Sequence, residues 1–173
     1  FMEVFPNSNK AEDANYMRAY SFYKQSPKVD LDQTNTARAI ALMQAFINMH
    51  PNSSKVKEAS DIIDACRMKM ELKDFKSADL YYTLGKYKSA AVSFTVLSEN
   101  YPDSQKADEY KLMVVKSWYE YARNSIPEKQ KERFEKVLGE CADFSDRYPE
   151  SKQNREVEYL KKQTNNNLKN ISK

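Results

Sequence analysis

Hydrophobic positions along the chain recur in blocks that end at a proline. Counting back from Pro51, Pro102 and Pro149, the residues at −12, −8, −5 and −1 are Ala39, Met43, Phe46 and His50, then Ala90, Phe94, Leu97 and Tyr101, then Val137, Cys141, Phe144 and Tyr148. Steps of four, three and four place these side chains on one face of a helix, small at the first contact and bulky at the last. Before Pro6 only the last two positions exist, Phe1 and Phe5. Proline ends each block, because it disfavours helical geometry in the residue before it and has no N–H for the preceding turn. The acid or amide and the Ser that follow, as in HPNSS and YPDSQ, can accept free N–H groups at the start of the next helix.

The segment that restarts is repeated as well. NKAEDANYMRAYSFY from Asn9 aligns without a gap on QKADEYKLMVVKSWY from Gln105, so that Ala11 meets Ala107, Met17 meets Met113, Ser21 meets Ser117 and Tyr23 meets Tyr119. Two kinds of helix therefore alternate, with turns at QSPKVD, LGKYKS and NSIPEK, each holding a breaker residue. The unit is a helix hairpin stacked on its neighbours, and stacked hairpins curve into a superhelix with a broad concave side. The spacing predicts the end of an earlier repeat over residues 1–6, hairpins over 7–51, 52–102 and 103–149, and a last helix over 150–173. Residues 54–84 can form one long helix, with Phe75 a candidate bend.

Composition narrows the functional classes. The protein has 173 residues, two Gly and six Pro, too little Gly for the turns that hairpin-rich β folds consume. A net charge of +3 from 28 basic and 25 acidic residues, with the signs interspersed, gives no basic block that asks for nucleic acid. Uninterrupted apolar runs such as LMVV at 112–115 are far short of the roughly 18 residues of a spanning helix. The start at FMEVF, without an initiator Met, implies that an upstream segment has been removed. Cys66 and Cys141 lie within apolar patterns and read as buried free thiols. One His, His50, sits in a packing slot, the two Gly are far apart, and no metal-ligand spacing appears, so neither catalysis, cofactor nor metal is expected.

One hairpin carries a specific motif. In ADLYYTLGKYKSAAVSFTVLSENYP, residues 78–102, the positions Ala78, Tyr81, Gly85, Tyr87, Ala90, Phe94 and Pro102 resemble the packing positions of a tetratricopeptide repeat. The resemblance implies an all-α fold, a right-handed superhelix of stacked helix hairpins or tetratricopeptide-like α-solenoid. The long first helices, the YPxS joints and LDQTNTARAIALMQAFI, residues 31–47, together resemble a narrower family, BamD, the tetratricopeptide lipoproteins of the bacterial outer-membrane β-barrel assembly (BAM) machine. A periplasmic coordinator of envelope or cell-division machinery of the Tol–Pal kind is the alternative, with shorter and more regular repeats.

The resemblance implies a non-enzymatic adaptor on the periplasmic face of the outer membrane. It implies two protein partners, a POTRA domain of a BamA-like barrel-forming subunit and targeting segments of unfolded outer-membrane proteins. Contact with the membrane would run only through an N-terminal lipid anchor that this chain does not include. By hairpin, Lys86, Tyr87, Tyr121 and Arg123 are expected to face the POTRA domain. Tyr16, Arg18, Tyr20 and Tyr23 are expected to line a groove for client peptide. Tyrosine combines large contact area with a polar end, as interfaces favour, but an aromatic stripe at helical spacing is also what a core requires. Trp118, aligned with Phe22, reads as core.

Overall fold

A computed structural model describes residues 9–171. These form seven α-helices and no strand: α1 Asn9–Lys24, α2 Thr34–Met49, α3 Val56–Thr83, α4 Tyr87–Asn100, α5 Ala107–Arg123, α6 Pro127–Arg147 and α7 Asn154–Ile171. The fold is all-helical and tetratricopeptide-like. Phe1 and Phe5, and the repeat end expected over 1–6, lie outside the described residues. α3 is assigned as one helix without a break at Phe75, whose ring packs at 6.1 Å from Phe94 and 5.8 Å from Tyr110.

The three proline joints share one geometry. His50, Tyr101 and Tyr148 cap α2, α4 and α6 with φ of −130°, −129° and −128° and ψ of 60°, 58° and 58°. Each cap N–H closes on the carbonyl four residues back, at 2.9, 3.1 and 2.9 Å. The joint Ser then folds back, its N–H meeting the cap carbonyl at 3.0 Å for Ser53, 3.2 Å for Ser104 and 3.1 Å for Ser151. Each Ser Oγ accepts the N–H two residues on, at Lys55, Lys106 and Gln153, which satisfies one donor that the incoming helix leaves open.

The molecule folds as two compact units, one ending at Lys73 and the other starting at Asp74. In the first, Tyr16 and Ala19 of α1, Ala39, Met43 and Phe46 of α2, and Ala59, Ile62, Ile63 and Cys66 of α3 form the core. In the second, Ala78 packs with Ala90, Phe94, Leu97, Tyr110 and Val114. A further cluster joins Leu112, Val115, Phe134, Val137, Cys141, Phe144, Val157 and Leu160. The residues at −12, −8 and −5 from each joint proline are all at most 1% exposed, while His50, Tyr101 and Tyr148 at −1 are half-buried. Burial raises the thiol pKa of Cys66, and that of Cys141 to about 11. Both are the buried free thiols expected.

The polar stretch between α1 and α2 is a built loop. Gln33 is buried and its Nε2 donates to the carbonyls of Lys28 at 2.9 Å and Leu31 at 3.0 Å, while its Oε1 accepts from Thr36 at 2.6 Å. From α3, Lys69 donates to Ser26 Oγ and the Pro27 carbonyl, and Lys73 to the Leu31 carbonyl. A buried carboxamide thus replaces the tight turn of a plain hairpin, since every loop carbonyl without water needs a donor.

Candidate functional site

The residues expected to meet a folded partner lie in the second unit, at two helix ends. α3 stops in a Schellman turn: Gly85 adopts φ +69°, its N–H meets Tyr82 O at 3.0 Å and the Lys86 N–H meets Tyr81 O at 2.9 Å. That pairing closes the orphan carbonyls of α3 and requires a left-handed residue, which only Gly enters without penalty. Lys86 is thereby left exposed as the N-cap residue of α4, and Tyr87 opens the helix half-buried.

Tyr121 and Arg123 occupy the last turn of α5. Tyr121 is half-buried, edge-on to Trp118 at 5.8 Å, and the Arg133 guanidinium of α6 lies 4.1 Å from its ring centroid. Arg133 also bonds Ser125 Oγ, and Gln130 donates to the carbonyls of Arg123 and Ser125. Ile126 is extended and Pro127 begins α6, where a missing N–H costs nothing. Tyr121 is therefore part of the α5–α6 packing, whereas Arg123 is exposed and pairs only at the surface with Glu120, 2.8 Å away. Trp118, half-buried, is covered by Lys136 Nζ at 4.0 Å.

Tyr82 links the two helix ends, and it was missed in the sequence because the tetratricopeptide register favoured Tyr81. Tyr81 is exposed, 44%, and its neighbour Tyr82 packs against the core with its ring 5.4 Å from Tyr87. Burial pushes the Tyr82 phenol up, with Glu120 and Tyr87 adding to the shift and Arg123 opposing it. Tyr82, Tyr87, Glu120 and Arg123 thus share one electrostatic neighbourhood. The alternating pattern of an adjacent Tyr pair is the signal that held this information, but it does not say which ring faces in.

The residues expected to line a client groove lie in the first unit and are not equivalent. Tyr16 is 5% exposed, stacked at 5.9 Å on Tyr20 and edge-on to Phe46 at 5.4 Å. Among the described residues its hydroxyl is buried without a hydrogen-bond partner; burial and then the nearby Glu58 carboxylate raise its pKa, although no bond to Glu58 meets hydrogen-bond geometry. Tyr20 and Tyr23 are half-buried, 5.9 Å apart, and Lys24 Nζ lies over both rings at 5.0 and 5.9 Å. Arg18 is exposed and falls about 200° round the helix from Tyr16, apart from the ring stripe. His50 is half-buried, 5.3 Å from Phe46, with its Nε2 3.3 Å from Asn15 Nδ2. Among the described residues no group of His, Cys, Asp and Glu is arranged to hold a metal ion, and no helix is long and apolar enough to cross a membrane.

Comparison with known proteins shows similarity to a lipoprotein family and to an assembly factor. A family described as outer membrane lipoprotein, YfiO, matches residues 1–133. The outer membrane protein assembly factor BamD of Caulobacter vibrioides is 22% identical over 118 residues, 68% of this chain and 39% of that protein. The sequence therefore spans about two fifths of the length of this relative.

Proposed function

The chain belongs to the outer membrane lipoprotein family YfiO, and from that premise we propose that it is a non-enzymatic adaptor in the assembly of outer-membrane β-barrel proteins. On this reading it works at the periplasmic face of the outer membrane, held there by a lipid anchor on the full-length protein. It engages a POTRA domain of the BamA-like barrel-forming subunit through the surface around Lys86, Tyr87 and Arg123. Unfolded barrel segments meet the face bearing Tyr20 and Tyr23.

The observation that carries this reading is the family match over residues 1–133, which spans both sets of residues. Geometry adds support for the partner surface. Lys86 and Arg123 are exposed cations beside half-buried Tyr82, Tyr87 and Tyr121, an arrangement of aromatic anchors with charged rim that interfaces favour. The cations at the rim would steer encounter with an acidic partner surface, and such steering weakens as salt rises.

The test is depletion of the full-length protein in its own cell. A loss of folded β-barrel proteins from the outer membrane, with co-purification of the barrel-forming subunit on the tagged protein, is the expected result. Normal barrel content after depletion, with no co-purification, would overturn the proposal.

A further inference from the structure

The end of the second unit where α5, α6 and α7 meet contains a pocket of about 240 Å³ lined by Arg123, Gln130, Phe134, Asn167, Asn170 and Ile171. That is below the roughly 300–1,000 Å³ of sites that enclose a whole small ligand. It matches one side chain of something larger. The lining is chemically one-sided, with a guanidinium, three carboxamides and two apolar residues, and no acid. Phe134 is buried and gives the pocket an apolar wall, while Ile171 is half-buried.

The carboxamides differ in how far they are committed. Gln130 Nε2 is used twice, on the carbonyls of Arg123 at 3.3 Å and Ser125 at 3.1 Å, which fixes the side chain and leaves its carbonyl oxygen as an acceptor. Asn167 and Asn170 stand three residues apart on α7, where side chains share a face. Neither carboxamide has a hydrogen-bond partner among the described residues. Arg123 directs one Nη at Glu120, but a guanidinium has five N–H donors in a fixed fork. A second carboxylate can therefore be held without breaking the first pair.

We propose that this pocket receives a carboxylate-bearing residue of a peptide partner, with Arg123 holding the carboxylate and Asn167 and Asn170 pairing with the partner's main-chain amides. A main-chain amide offers one donor and one acceptor, which a carboxamide answers with one of each. The inference deepens the reading of Arg123 as a partner residue and rests on it. The carboxylate belongs either to an Asp or Glu side chain or to the free C-terminus of the peptide.

The test uses three fluorescein-labelled hexapeptides followed by anisotropy: one Glu in a neutral sequence with an amidated C-terminus, the same peptide with Gln for Glu, and the Gln peptide with a free C-terminus. At least one charged peptide binds about tenfold tighter than the neutral one, as a charge-assisted hydrogen bond gives, and the tighter of the two names the source. Arg123→Gln and Asn167→Asp each abolish the difference while circular dichroism stays unchanged. Equal binding of all three, binding of none, or a difference that survives both variants overturns the proposal. Peptide discrimination without binding of any POTRA domain removes the broader reading and keeps the pocket. POTRA binding indifferent to Asn167→Asp, with no peptide discrimination, does the reverse.

Discussion

Ser53 and Ser151 each use one hydroxyl twice. Besides capping the incoming helix, Ser53 Oγ donates to Glu12 at 2.5 Å and Ser151 Oγ to Asp108 at 2.6 Å, across 41 and 43 residues of sequence. Glu12 and Asp108 are aligned positions of the repeated first helix, so the bond recurs with the repeat. Ser151→Ala removes a cap and a bond to a carboxylate, and a loss of about 1–2 kcal/mol follows, read as a lower urea midpoint. At the same scale, Lys111 is almost fully buried and answered by Glu140 at 2.7 Å and by Asp143. Burial works to raise the Asp143 pKa, but the bonds from Lys111 and Arg147 outweigh it and hold the carboxyl below its ordinary value of 3.8. A carboxyl depressed on folding stabilises above its unfolded pKa, and that contribution is lost as pH falls through the folded value. The stability gap between parent and Asp143→Asn should therefore be flat from pH 7 to 5 and shrink below about pH 4. Cys141, held neutral by burial, should resist a thiol reagent at pH 8 until urea unfolds the protein.

At the scale of the element, the two glycines should respond with opposite sign to the same change. A Cβ on either would touch nothing within 4 Å, yet Gly85 sits at φ +69° and Gly139 within α6. Gly85→Ala should cost about 1 kcal/mol for forcing a left-handed residue, and Gly139→Ala should add up to about 1 kcal/mol from helix propensity; thermal melts of the two variants decide it. Ala90→Trp, at a fully buried contact between α3 and α4, should lose about 1–3 kcal/mol or more by overpacking. The helices and their joints were legible because each joint is local: a proline, a cap and a four-three-four stripe lie within a dozen residues. The Ser clasps, the Gln33 hub and the Lys111 pairs were not. Each joins a polar residue to a partner that the local pattern does not name, and polarity alone does not say which Lys or Gln points inward.

At the scale of the molecule, the exposure of the residues proposed to meet partners was legible in part. Lys86 and Arg123 stand exposed where helix ends place them, but Tyr121 is committed to Trp118 and Arg133, and Tyr16 to the core of the first unit. Aromatic periodicity marks a face without saying whether another helix covers it. Arg123→Ala is consequently a cleaner probe of binding than Tyr121→Ala, which also loosens α5 from α6. The most direct measurement is a calorimetric titration of this protein with the isolated POTRA domains of the barrel-forming subunit from the same genome, at low and moderate salt. Saturable binding that weakens with salt, and about tenfold with Arg123→Ala, is the result this account predicts. A protein that is fully helical by circular dichroism yet binds none of the POTRA domains would contradict it.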